Sequence, residues 1–272
     1  MTQTPFFTPT ASAISLQGTT LVIPAVSIGS VPQLAIDLLL HDASLKLTKV
    51  GRFDPAYCFP FVGPSDSGDD DLTTALEVNH LAVFSNGTLT VIQQRSPVYK
   101  SSSAAYITAL THWISESSFA ETLWLSSIDA AARTDEEFST PILSFPPPGS
   151  SPSTLALSKL SSSYKTFNPP RDAFAPTAQE GKGSVPHIPG SLLTKRLLAH
   201  VASQDNLRDK LGALLYFAAE GDTREDAHHL ATVVLHLLSS SHASAAESHR
   251  SFKEPPSWSA LFGQPAESSL YG

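Results

Sequence analysis

Three groups of residues have the types and spacing that chemistry would use. Ser126-Ser127 with Asp129 follow the apolar run Thr122 to Ser126, and the end of such a strand is where α/β enzymes place catalytic groups. A hydroxyl nucleophile needs a base to take its proton, and no partnered histidine accompanies this one. The polar turn leaving a strand is the reading that these residues favour. His228, His229 and Glu225 form the second group. Adjacent histidines point to different sides of a helix, and only Glu225 shares a face with His229. The next position on that face is Val233, and His236 lies about 10 Å along the axis, so a third ligand is missing. Asp69-Asp70-Asp71, in the loop Pro64 to Asp71, form the third group and read as a solvated acidic tip. No H-E-x-x-H or G-x-S-x-G pattern occurs.

A fourth candidate is the turn Ser27 to Pro32 (SIGSVP). It lies between an apolar strand, Thr20 to Val26, and a helix, Val31 to Leu40, that is apolar almost all round. A dinucleotide loop needs about three glycines so that backbone amides can approach a pyrophosphate. Here Gly29 stands alone, and Pro32 removes one amide. Ser30 and Gln33 match a capping box, which would satisfy the helix rather than an anion. The turn therefore reads as a core element. Cys58, the single cysteine, excludes an internal disulfide and reads as a small buried apolar residue in YCFPF. No cofactor and no metal is expected.

The elements around these residues define the frame. Leu45 to Val50 alternates as a strand. Leu76 to Phe84 and Leu89 to Gln94 flank Asn86-Gly87, the strongest short hairpin signal. Ser103 to Ser117 carries Tyr106, Leu110, Trp113 and Ile114 on one helical stripe. Strand, helix, strand, hairpin, helix, strand predicts an α/β fold: a three-layer sandwich with a mixed β-sheet. Helices are expected over Leu192 to Ala202, with Ser191 as cap, and over Asp205 to Ala219. Another follows a capping box at Asp222 and Glu225 and carries Leu230, Val233, Val234, Leu237 and Leu238.

Of the 272 residues, 15% are charged and 21 are proline; the net charge is −8. The 17 basic residues are scattered, so no nucleic-acid surface is expected. No apolar stretch reaches the roughly 20 residues of a membrane span, so no membrane association is expected. The amino-terminal residues lack the basic and apolar regions of a secretory signal, and an intracellular protein is expected. The stretch at about 146–187 is rich in proline and serine and reads as a flexible insert in a single domain covering 1–263. Residues 264–272 read as a flexible tail. It ends in Leu270, Tyr271 and Gly272, an apolar residue, a tyrosine and a terminal carboxylate. Such an ending can enter a basic pocket between two subunits. From Pro265 the tail reaches about 26 Å when extended.

Several separated blocks resemble the proteasome assembly chaperone 2 family. They are Leu21 to Leu40 (LVIPAVSIGSVPQLAIDLLL), Lys49 to Gly51 (KVG), Phe61-Val62-Gly63, Ile188 to Leu197 (IPGSLLTKRL), Glu220-Gly221-Asp222 and Pro256 to Gly263 (PSWSALFG). The resemblance implies a phosphorylase/hydrolase-like α/β fold without enzymatic activity. It implies a heterodimer with proteasome assembly chaperone 1 that binds the α-subunits of the 20S proteasome. That dimer would promote α-ring formation and prevent off-pathway α-ring dimers and premature activator binding. It further implies a cytoplasmic and nuclear location and tail docking through Leu270, Tyr271 and Gly272. The Pro/Ser-rich insert departs from the family pattern. Two other functions compete: a nucleoside phosphorylase- or hydrolase-like enzyme of the same fold, and an adaptor that recruits partners through the insert.

Overall fold

The computed structural model describes residues 5–10, 14–60, 62–64, 76–78, 81–152, 154–168, 185–239 and 251–261. The strands are β1 (Phe7–Pro9), β2 (Thr20–Pro24), β3 (Thr48–Phe53), β4 (Val62–Pro64), β5 (Leu76–Val78), β6 (Leu81–Ser85), β7 (Leu89–Gln94), β8 (Glu121–Asp129), β9 (Ile142–Phe145) and β10 (Leu211–Ala218). The helices are α1 (Val31–His41), α2 (Ser103–Ser117), α3 (Leu155–Ser163), α4 (Leu192–Ala202), α5 (Asp205–Arg208) and α6 (Arg224–Leu238). Eight strands form one sheet in the order β1-β3-β6-β7-β2-β8-β10-β9, and β4 pairs with β5 separately. The centre, β7-β2-β8-β10, is parallel, and both flanks are antiparallel. The mixed sheet and the α/β class agree with the sequence.

Alternation along the central strands sends side chains to two faces. Leu21, Ile23, Trp124, Leu215 and Phe217 join Tyr106, Leu110 and Trp113 of α2 and Leu197 and Val201 of α4 in one core. Val22, Leu123, Leu125, Leu214 and Tyr216 meet α1, α3 and α6 in the other. Three layers result because a parallel sheet must be covered on both sides.

Four expectations are corrected. Asp205 to Ala219 is not one helix: α5 ends at Arg208 and the chain enters β10, every residue of which is buried. The expected strand Leu76 to Phe84 is two strands, β5 and β6, in different sheets. In the turn between β6 and β7, Gly87 has positive φ, whereas Asn86 acts through its side chain. Its Oδ1 accepts the N–H of Thr88 and Leu89 at 2.9 and 2.8 Å, an Asx turn rather than two left-handed residues. Part of the stretch expected to be a flexible insert is α3, with Ala156, Leu157 and Leu160 buried. Glu121, itself buried on β8, supplies its cap: one carboxylate oxygen accepts the N–H of Ala156 and Leu157 at 3.0 and 3.2 Å.

Candidate functional site

Strands β2, β7, β8 and β10 all end at one edge of the sheet, where α/β folds place ligands. The Gly29 turn leaves β2 there. Gly29 has φ +65°, and a Cβ on it would lie 2.8 Å from the carbonyl oxygen of Ala219. The hydroxyl of Thr223 donates to the Gly29 carbonyl at 2.5 Å. The glycine thus lets the first crossover turn press against the turn after β10. The expected capping box at Ser30 and Gln33 is absent as drawn: Ser30 is itself left-handed and makes no side-chain cap. The box at Asp222 and Glu225 is replaced too, since Thr223 occupies the cap position and Asp222 pairs with Arg224 at 2.5 Å. That guanidinium holds the Asp222 carboxyl below its usual value.

Ser126 and Ser127 are buried at the end of β8; the Ser126 hydroxyl and the Ser127 backbone are engaged with other hydroxyls, while the Ser127 hydroxyl has no hydrogen-bond partner among the described residues. Ser126 Oγ lies 2.8 Å from Ser191 Oγ and accepts from Thr194 Oγ1 at 2.8 Å. Thr194 in turn accepts from the Trp124 indole at 3.0 Å. Ser191 donates to the Ser127 carbonyl instead of capping α4. Ser27 Oγ accepts from the Ser127 N–H at 2.9 Å. Asp129 accepts the N–H of Ala131 at 2.9 Å, in a 3-10 turn. These are the contacts of an internal brace between β8, α4 and the first turn, and among the described residues no base is placed on either serine.

The histidines separate as their adjacency requires. His229 faces Tyr216, whose hydroxyl donates to Asp226 at 2.9 Å and lies 3.3 Å from His229 Nδ1. Burial lowers the His229 pKa, with Asp226 opposing in part, and burial chiefly raises that of Tyr216. His228 points the other way, to Glu254 at 3.1 Å. Among the described residues no cluster of His, Cys, Asp and Glu could hold a metal. Cys58 is buried, and desolvation pushes its thiol up to about 12. No described helix is long and apolar enough to cross a membrane.

The most developed constellation at the strand ends centres on Asp37 and Arg95, which sequence reasoning passed over, whereas the Trp258 beyond the last helix is expected to dock on the body and does so. Asp37 lies on the buried helix α1 and is 2% exposed. Its carboxylate pairs with Arg95, just past β7, at 2.7 Å and accepts from Gln93 at 2.8 Å. It also faces the Trp258 indole N–H at 3.4 Å. Trp258 sits in a 3-10 turn, Pro256–Ala260, and is buried, as is Phe252 before it. Residues 251–261 thus form a strap across α1 and α6, held by Phe252 against His228, by Glu254 and by Trp258. Beside the strap opens a cavity of about 340 Å³, lined by Gly29, Gln33, Leu34, Arg95, Glu220 and Leu261 among others. The visible signal was a carboxylate in an otherwise apolar helix, since a buried charge demands a partner. The acidic loop Asp69 to Asp71, Phe262 and the tail residues Leu270, Tyr271 and Gly272 lie outside the described residues.

The frame and these braces define a class: an α/β/α sandwich in which the Ser126 hydroxyl at the strand ends is engaged internally. Solved structures share the fold. PbaA of Pyrococcus furiosus, described as an archaeal homolog of proteasome-assembly chaperone, superposes with a TM-score of 0.57 over 82% of this chain and 83% of its own, at 14% identity. PbaB of the same organism, described as an archaeal proteasome activator, gives 0.51 over 89% and 93%, at 12% identity. The model of the PAC2 family matches residues 21–244, and the chain belongs to that family. It is 31% identical to proteasome assembly chaperone 2 of Xenopus tropicalis over 258 residues, 93% of this chain and 94% of that one. With the human protein of the same name it shares 30% over 267 residues, 96% and 97% of the two chains.

Proposed function

We propose that this chain is a non-enzymatic chaperone of 20S proteasome assembly. It acts in the cytoplasm and nucleus as a heterodimer with proteasome assembly chaperone 1. The dimer binds the α-subunits, promotes ring formation and keeps α-rings from dimerising. Residues 1–263 are one body, and the tail 264–272 inserts Leu270, Tyr271 and the carboxylate of Gly272 into a pocket between α-subunits. The observation that carries the reading is the near full-length likeness to relatives named for proteasome assembly. Two features support it: the brace that engages the Ser126 hydroxyl with Ser191 and Thr194, and the strap, which brings the chain to the body's surface at a half-exposed Leu261.

Tyr271→Ala in the heterodimer tests the tail directly. An aromatic anchor seated in a pocket accounts for about 2 kcal/mol, so affinity for immature particles falls roughly 30-fold while the heterodimer persists. Unchanged affinity sinks the tail mechanism. The cavity beside Gly29 is the one observation favouring an enzyme of the phosphorylase or hydrolase type. Calorimetric titration with nucleosides and phosphate decides it, saturable binding being the result that revives that reading.

A further inference from the structure

We infer that the strap 251–261 sets the root of the tail, with Asp37 and Trp258 as positioning residues for tail docking. The inference rests on the tail reading above. Three separate contacts hold the strap down: Phe252 packed in the core beside His228, Glu254 on His228 at 3.1 Å, and the Trp258 indole on the buried Asp37. Asp37 is itself fixed by Gln93 and Arg95 at 2.8 and 2.7 Å, both at the end of β7 in the sheet. The anchor of the strap is therefore a buried α1 carboxylate tied to the end of β7 rather than a surface contact.

The consequence is a matter of tether length. With the strap docked, 11 residues follow Leu261; with it released, 34 follow Leu238, the end of α6. The effective concentration of a tethered group falls as about the −3/2 power of tether length, so release lowers it about fivefold. A docked strap also holds Leu261, the root of the tail, at the cavity that Gly29 lines.

The test uses the heterodimer and immature 20S particles. Trp258→Ala and, at the other end of the strap, Phe252→Ala are each made in the full chain and in the chain ending at Ser269. Amide exchange in Pro256–Ala260 reports strap release, and co-elution with the partner reports an intact body. A third variant lengthens the tether without touching the strap, by inserting about 23 Gly/Ser residues after Leu261. The expected result in the full chain is an affinity loss of about fivefold for the insertion variant, and for each strap variant a loss that approaches fivefold as exchange shows the whole strap released. No further loss is expected in the chain that already lacks the last three residues. Equal weakening in both backgrounds, which a merely structural role produces, overturns the inference. So does unchanged affinity when exchange shows the strap released, or unchanged affinity of the insertion variant. If deleting residues 270–272 itself leaves affinity unchanged, the tail reading fails and this inference with it. If that deletion weakens binding and the strap variants do not, the strap inference fails alone.

Discussion

Glu121 and His229 show how single groups serve this fold away from any reacting centre. The Glu121 carboxylate leaves a central strand to receive two N–H groups of α3 and the Thr20 hydroxyl. Glu121→Ala orphans those buried donors and lowers stability by about 1–3 kcal/mol, read as a lower urea midpoint. Glu121→Gln keeps one acceptor and loses less. His229 contributes a pH dependence to stability. Burial beside Tyr216 depresses its folded pKa, so the unfolded chain takes up a proton first as the solution is acidified. The contribution is complete above the ordinary histidine pKa of about 6.5 and is lost as pH falls from there through the folded value. Melting temperature should drop on going from neutral to mildly acidic buffer, and the His229→Gln chain should show a shallower slope. An identical slope in the two chains refutes the assignment.

At the scale of elements, the Gly29 turn joins the first crossover to the last. Gly29→Ala places a methyl 2.8 Å from the Ala219 carbonyl at φ +65°. Both the left-handed backbone and the clash oppose it, so it costs more than about 1 kcal/mol in chemical denaturation. A chain no less stable than the parent contradicts the close approach. The frame was largely legible where periodicity is unambiguous: α2 runs Ser103–Ser117 and α4 Leu192–Ala202, as their stripes require. Legibility failed at β10, because Leu211 to Ala218 is apolar without interruption. A strand buried on both faces and a buried helix leave the same trace in sequence, and only pairing with β8 and β9 distinguishes them. The docking of Trp258 was legible, but its partner was not, for another reason. Asp37, Arg95 and Trp258 are far apart in the chain, and nothing local announces that a helix carboxylate will meet an indole 221 residues later.

For the whole molecule, the sandwich is the platform, and the proposed function assigns partner binding to its periphery. The Ser126 constellation looked reactive because strand ends often are. The structure fills it with Ser191 and Thr194, which tie α4 to the sheet. Membership of the PAC2 family, whose model matches residues 21–244, accounts for the α/β body. The Pro/Ser-rich stretch is secondary in this account. The measurement that tests the central claim most directly is affinity purification with mass spectrometry of the intact chain against the chain ending at Ser269. The account predicts that both recover proteasome assembly chaperone 1 and that only the intact chain recovers α-subunits in quantity. Equal recovery of α-subunits by the two chains contradicts it.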